Sequence, residues 1–282
     1  MQRRTFLLAT GALGGFAASP PGIVDTHIHF YDPTRPQGVP WPARSETLLY
    51  RTVLPADLEK LTRKLGVTGV VVVEASPSLE DNQWVLDLAK DSPLILALIG
   101  NLPCGTPEFA RHLDRFRKNP LFRGIRLNGK RIGEGLSNTP FMKDIRRMAD
   151  AGLTLDAIGG EAMLPEVTRL NDAVPSLKIV LDHLPFDAPA TPALRELGRR
   201  PHIYAKVSNV GPKTQRAWLD ELWTIFGSGR LVYGSNWPVS DLFADFETVH
   251  GIVKDYFAEK GGLATRKYFA ENARAAYKWV KR

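Results

Sequence analysis

Two histidines with one residue between them, in Ile23-Val-Asp-Thr-His27-Ile-His29-Phe-Tyr-Asp-Pro33, carry the sharpest chemical signal in the sequence. Side chains alternate along a strand, so Asp25, His27 and His29 are expected on one face. Paired imidazoles can hold a metal ion or polarise a carbonyl as hydrogen-bond donors. Asp25, one layer deeper, is placed to orient an imidazole. The competing reading is a structural, hydrogen-bonded pair. Further candidates end other apolar runs. His183 closes Lys178-Ile-Val-Leu-Asp-His183; an inward His183 turns Asp182 toward the helices and out of the chemistry. Arg126 ends Phe122-Arg-Gly-Ile-Arg126 and has the planar fork that grips a carboxylate or an enolate-like oxygen. Glu74, after four valines, is a ligand, a base or a partner for Arg126. Asp156 ends another run, and Lys206 and Ser208 share a face of a further one, with Lys206 a candidate substrate contact. For Arg126 the competing reading is a surface ion pair; for Glu74, Asp156, Lys206 and Ser208 it is a polar side chain satisfied at a strand end.

The elements that must position these residues alternate. Short runs rich in Val, Ile and Leu fall at 23–28, 69–74, 94–99, 122–127, 153–156, 178–183, 203–207 and 231–233. Near-continuous apolar runs fit strands covered on both faces. Amphipathic stretches at 79–90, 108–118, 141–151 and 217–226 lie between them. Eight strand–helix units predict a parallel sheet closed into a single (β/α)8 TIM barrel, an α/β fold. No Gly-x-Gly-x-x-Gly turn follows the first strand, which argues against an open dinucleotide-binding sheet. In a barrel the candidate residues stand at the C-terminal ends of the strands, where such folds place their chemistry. The Pro- and Arg-rich stretch 32–54 is expected to be a loop over the mouth.

The chain has 282 residues and 44% hydrophobic content, enough for one core. Its single cysteine, Cys104, excludes an internal disulfide and reads as a small buried hydrophobe. The net charge of +7 is scattered, with no basic stripe interleaved with aromatics, so a nucleic-acid partner is not expected. A mild positive excess would favour an anionic small molecule. Oligomeric state is not readable, and a homo-oligomer stays open. Residues 1–22 read as a leader and short linker: Arg3 and Arg4 precede a Gly/Ala-rich apolar run too short to span a membrane. The opening resembles a twin-arginine export signal, which would make the mature protein, 23–282, periplasmic or secreted.

These residues resemble a known group. Val24-Asp-Thr-His-Ile-His-Phe-Tyr-Asp-Pro33, the Arg126 strand, Asp182-His183, Gly234-Ser-Asn-Trp-Pro238 and the tail Tyr268-Phe-Ala-Glu-Asn-Ala-Arg-Ala-Ala-Tyr277 look like the amidohydrolase-related branch of the amidohydrolase superfamily. That branch includes sugar-acid lactonases and 2-pyrone-4,6-dicarboxylate lactonases. The resemblance implies a hydrolase that opens a small acidic or sugar-derived lactone by water attack. His27, His29 and His183 would polarise the carbonyl, with or without one divalent ion (zinc or manganese) among them, and Arg126 would hold the substrate. At the position where the branch carries an aspartate base the sequence has Asn236, and an amide cannot take a proton at neutral pH. A metal hydroxide, Asp241 from the following loop, Asp156 or Glu74 would then serve instead. With Arg126 on the fourth strand, a binuclear metal site is not expected. Two other outcomes remain: a metal-dependent decarboxylase or C–C hydrolase of the same superfamily, and a barrel that binds a ligand without turning it over.

Overall fold

The computed structural model describes residues 22–186 and 189–280. The leader expected at 1–22 falls, apart from Gly22, outside the described residues. The strands are β1 (Ile23–Ile28), β2 (Val67–Val73), β3 (Ile95–Gly100), β4 (Phe122–Asn128), β5 (Thr154–Ile158), β6 (Lys178–Leu184), β7 (Ile203–Val207) and β8 (Leu231–Tyr233). They pair in parallel in sequence order, with helices between them. The seam between β8 and β1 is drawn together by a bridge from Ile28 to Trp237 and by hydrogen bonds from Asn236 N to His27 O (3.0 Å) and His29 N to Trp237 O (3.1 Å). This is the (β/α)8 barrel that the alternating apolar runs predict.

Two apolar layers hold it. Val71, Val73, Ala97, Ile99, Val180, Tyr204 and Val232 form one cluster with Val24. Their strand neighbours Val70, Val72, Leu98, Ile179, Leu181, Ala205 and Tyr233 pack in the larger layer with the helices. A carboxy-terminal helix, Asn272–Tyr277, closes the interior cluster with Ala273, Ala276 and Tyr277. Thr154 Oγ1 donates to Ala276 O (2.8 Å) and ties this plug to the start of β5. Cys104 is buried, and burial pushes its thiol up, away from thiolate chemistry. Among the described residues, no helix is long and apolar enough to cross a membrane.

Two register slips matter for the site. Between Asp25 and Ile28, β1 advances three residues while β2 advances two; between Leu181 and Leu184, β6 does the same against β7. Each is a bulge, which re-aims the side chains around it.

Candidate active site

The first bulge separates Asp25 from the histidines. Asp25 is fully buried, but its Oδ1 accepts the backbone N–H of His27 (3.1 Å) and of Ser235 (2.9 Å). Its charge is felt by Tyr233 and Tyr268, both of which belong to the helix-side layer. The expectation that Asp25 shares a face with His27 and orients its ring is therefore corrected: Asp25 pins the backbone at the β1–β8 seam. Burial is the main reason that its carboxyl is pushed up to about 6.

His27 and His29 do meet. Their rings lie 4.9 Å apart between centroids, and the His27 ring lies 4.5 Å from that of His183. His27 is fully buried, His29 nearly so, and His183 half-buried. Burial, with the Arg126 and Lys206 charges nearby, holds all three imidazoles below the usual histidine range; that of His183 falls to about 4. They are neutral at pH 7, and each then has one donor and one acceptor nitrogen. His29 Nδ1 lies 3.0 Å from Val73 O. A carbonyl only accepts, so Nδ1 carries the proton and His29 Nε2 offers a lone pair. The His27 Nε2 atom, 3.1 Å away, donates to it.

The second bulge overturns the reading of Asp182. His183 adopts a left-handed backbone (φ 63°), which breaks strand alternation, so Asp182 and His183 both turn to the interior. Asp182 Oδ1 lies 2.9 Å from Lys206 Nζ and 3.8 Å from His27 Nδ1. His183 is steadied by Ser208, whose Oγ accepts its backbone N–H (3.0 Å) and lies 3.2 Å from its Nδ1. Lys206, expected at the substrate, has no exposed surface. It sits beneath the imidazoles between Asp182 and Asp156, whose Oδ2 accepts from Nζ at 2.5 Å. Burial pushes the Asp156 carboxyl up to about 7, and Tyr277 donates to it from below (3.1 Å).

Arg126 reaches the same region. Its Nε donates to Glu74 Oε1 (2.9 Å) and its Nη2 to Glu74 O (2.8 Å). Among the described residues Nη1 makes no hydrogen bond, so one edge of the fork is available. Glu74 is thus the partner of Arg126, one of the roles its position left open. Asn236, after β8, is also left-handed (φ 62°); its Oδ1 is buried with no hydrogen-bond partner among the described residues. Asp241 does not turn to the histidines: it pairs with Arg51 (3.1 Å), whose guanidinium lies 5.7 Å from the Trp237 ring. Arg51 belongs to the loop 32–54, and Trp41 of the same loop packs against His29, ring centroids 5.6 Å apart. This is the covering loop expected from the sequence. A cavity of about 560 Å³ opens between the loops after β7 and β8, lined by Asn209, Lys213, Trp218, Leu242 and Phe243 among others, with none of the three histidines in its lining.

The chain matches the amidohydrolase family model over residues 24–279. It belongs to the amidohydrolase family. An L-fucono-1,5-lactonase of Burkholderia ambifaria is 28% identical over 79% of the chain and 82% of that protein. An amidohydrolase from Burkholderia multivorans solved with bound zinc superposes with a TM-score of 0.80, at 24% identity, over 92% of the chain and all of its own. Amidohydrolase 2 from Bifidobacterium longum subsp. infantis gives a TM-score of 0.74 at 27% identity, over 92% of the chain and 99% of its own. This amidohydrolase is accordingly a hydrolase on a lactonase-like barrel, and the non-catalytic reading falls away.

The residues also fit a cation. His27, Asp182 and His183 each bring one ligand atom to within 4.8 Å of the others. Both Asp182 oxygens are buried without a hydrogen bond among the described residues; Lys206 is an ion pair beside Oδ1, not an aligned donor. Neutral imidazoles and an unsaturated carboxylate are the donors a divalent ion takes. Asp182 holds the place in this set that sequence reasoning gave to His29. What hid it was the bulge, whose signal in sequence is slight.

Proposed function

We propose that this amidohydrolase opens a small sugar-derived or acidic lactone by metal-assisted or metal-free water attack. The observation that carries the reading is the complementary polarity of the neighbouring imidazoles: His27 presents Nε2–H, and His29 presents a lone pair. The relatives named as lactonases support the substrate class. When the lactone carbonyl oxygen takes the place of His29 as acceptor, His27 Nε2–H polarises it. Water adds to the carbonyl carbon and gives its proton to His29 Nε2. The free edge of Arg126 and the His183 ring stand beside the developing oxyanion; Arg126 also attracts an anionic substrate. Collapse breaks the ring C–O bond, and the proton returns from His29 to the departing alkoxide, giving a hydroxy acid. A divalent ion held by His27, Asp182 and His183, zinc or manganese, would take a His27 lone pair and supply Lewis-acid polarisation of the carbonyl in place of His27 Nε2–H.

The Asn236 amide orients substrate or water and takes no proton. The test is a panel of 1,5-aldonolactones and carboxylated lactones, read by acid release, with and without added zinc or manganese. Turnover is expected, and His27→Ala or His29→Ala should lower kcat by about 10²- to 10⁴-fold. No turnover by the parent or by Asn236→Asp under any metal condition would overturn the reading. We also propose that residues 1–22 direct export by a twin-arginine route. Replacing Arg3 and Arg4 together by Lys should retain the chain in the cytoplasm; unchanged export would remove that proposal.

A further inference from the structure

Lys206 is a fully buried ammonium that no step above uses, and it faces three acceptors. Its Nζ lies 2.5 Å from Asp156 Oδ2, 2.9 Å from Asp182 Oδ1 and 3.3 Å from His27 Nδ1. An ammonium has donors and no acceptor. Facing Nδ1, it requires a lone pair there. His27 then carries its proton on Nε2, the same assignment that Val73 O imposes from the other end through His29. A pure donor at one end and a pure acceptor at the other polarise the chain Lys206–His27–His29–Val73 in one direction.

Without the ammonium the balance changes. Asp182 Oδ1 lies only 3.8 Å from His27 Nδ1. A carboxylate relieved of its cation is the strongest acceptor within reach, and a charge-assisted bond to it outweighs a neutral imidazole–imidazole bond. The proton would move to Nδ1, and His27 would become a carboxylate-backed base with no proton to give a carbonyl. We propose that Lys206 is a positioning residue that selects the Nε2–H tautomer of His27, holding it as the electrophilic donor and keeping Asp182 from converting it into a base.

The proposal rests on the lactonase reading for its kinetic consequence alone; the tautomer itself is observable without substrate. In the ¹⁵N-labelled protein at pH 7, freed of divalent ions by a chelator so that none takes a His27 lone pair, long-range ring correlations, with His27 assigned by comparison with His27→Gln, should show a protonated Nε2 and a lone-pair Nδ1. The opposite pattern overturns the proposal, whatever the protein hydrolyses. In Lys206→Met the pattern should reverse, and kcat should fall about 10²-fold while KM changes little. Should that variant fail to fold, Lys206→Met with Asp156→Asn removes both charges of that pair and carries the same expectation. A folded variant that keeps Nε2–H overturns the proposal even if activity is lost, because the loss is then structural. Asp156→Asn alone leaves the ammonium opposite Nδ1 and should keep the native tautomer; a reversal there would shift the role from Lys206 to Asp156. If no lactone is turned over, the lactonase reading fails while the ring correlations still decide the role of Lys206.

Discussion

Asn236 occupies a left-handed position at the end of β8 with an orphaned side-chain oxygen. Asn and Asp are the side chains that tolerate this backbone best, so Asn236→Asp should fold as the parent does. It adds a carboxylate where the amide cannot accept a proton, beside a histidine that already can. The expected outcome is a kcat on lactones equal to or above that of the parent, with a new acidic limb in its pH profile. A fall of tenfold or more would mean that the amide N–H donors, not the oxygen, serve the substrate. His183 and Asn236 are the left-handed non-glycine residues among the strand ends of the site, and both adjoin His27, the one at its ring and the other at its carbonyl. Strain of this kind gathers where geometry is fixed by function.

At the level of the strand, Gly234 shows how little room the site has. A Cβ there would stand 2.8 Å from His27 Cβ, 3.1 Å from Ser208 Cβ and 3.2 Å from Lys206 Cγ. Two of these neighbours begin at rigid backbone, so Gly234→Ala must push β8 away from β1. A stability loss of about 1–3 kcal/mol is expected from such overpacking, measurable by chemical denaturation. Misplacing His27 by about 1 Å should add a fall in kcat of about 10². An unchanged kcat would show that the β1–β8 seam yields without moving the ring. The same scale explains what the sequence could tell. Eight apolar runs and their helices were readable because a buried parallel strand needs continuous Val, Ile and Leu. His27, His29, Arg126 and Glu74 were readable as strand-end residues. Asp25 and Asp182 were misassigned because alternation was carried through Asp25–Ile28 and Leu181–Leu184, where one strand gains a residue on its neighbour. The burial of Lys206 was hidden for another reason. Its two carboxylate partners come from β5 and β6, and only the closed barrel brings them together.

For the whole molecule, the buried histidines set the response to acid. His27, His29, His183 and His250 are all held below 6.5 by burial. The unfolded chain protonates them as pH falls through 6.5, while the folded chain keeps them neutral, so their stabilising contribution is present above that pH and lost below it. Asp25 and Asp156 act with the opposite sign. Asp25, raised to about 6, stays protonated in the fold while the unfolded carboxylate ionises, which favours the fold as pH drops from 6 toward 4; burial raises Asp156 as well and acts in the same direction. Each group is worth roughly 1.4 kcal/mol per pH unit across its window. Four histidines oppose two acids, so Tm should fall between pH 6.5 and pH 4.5; a flat or rising profile would contradict neutral burial of the imidazoles. Tyr277→Phe removes the hydroxyl that Asp156 accepts at 3.1 Å. Its expected loss is about 1–3 kcal/mol, again read by denaturation.

That hydroxyl carries a consequence for the birth of the protein. Asp156 and Tyr277 stand 121 positions apart, and Lys206 stands 179 from His27. On a ribosome, β1 to β8 emerge before the helix that stoppers the barrel from beneath, so the charged floor under the imidazoles lacks its last proton donor until the tail has cleared the exit tunnel. A nascent chain stalled short of Tyr277 can have every histidine and still lack the finished floor that holds them.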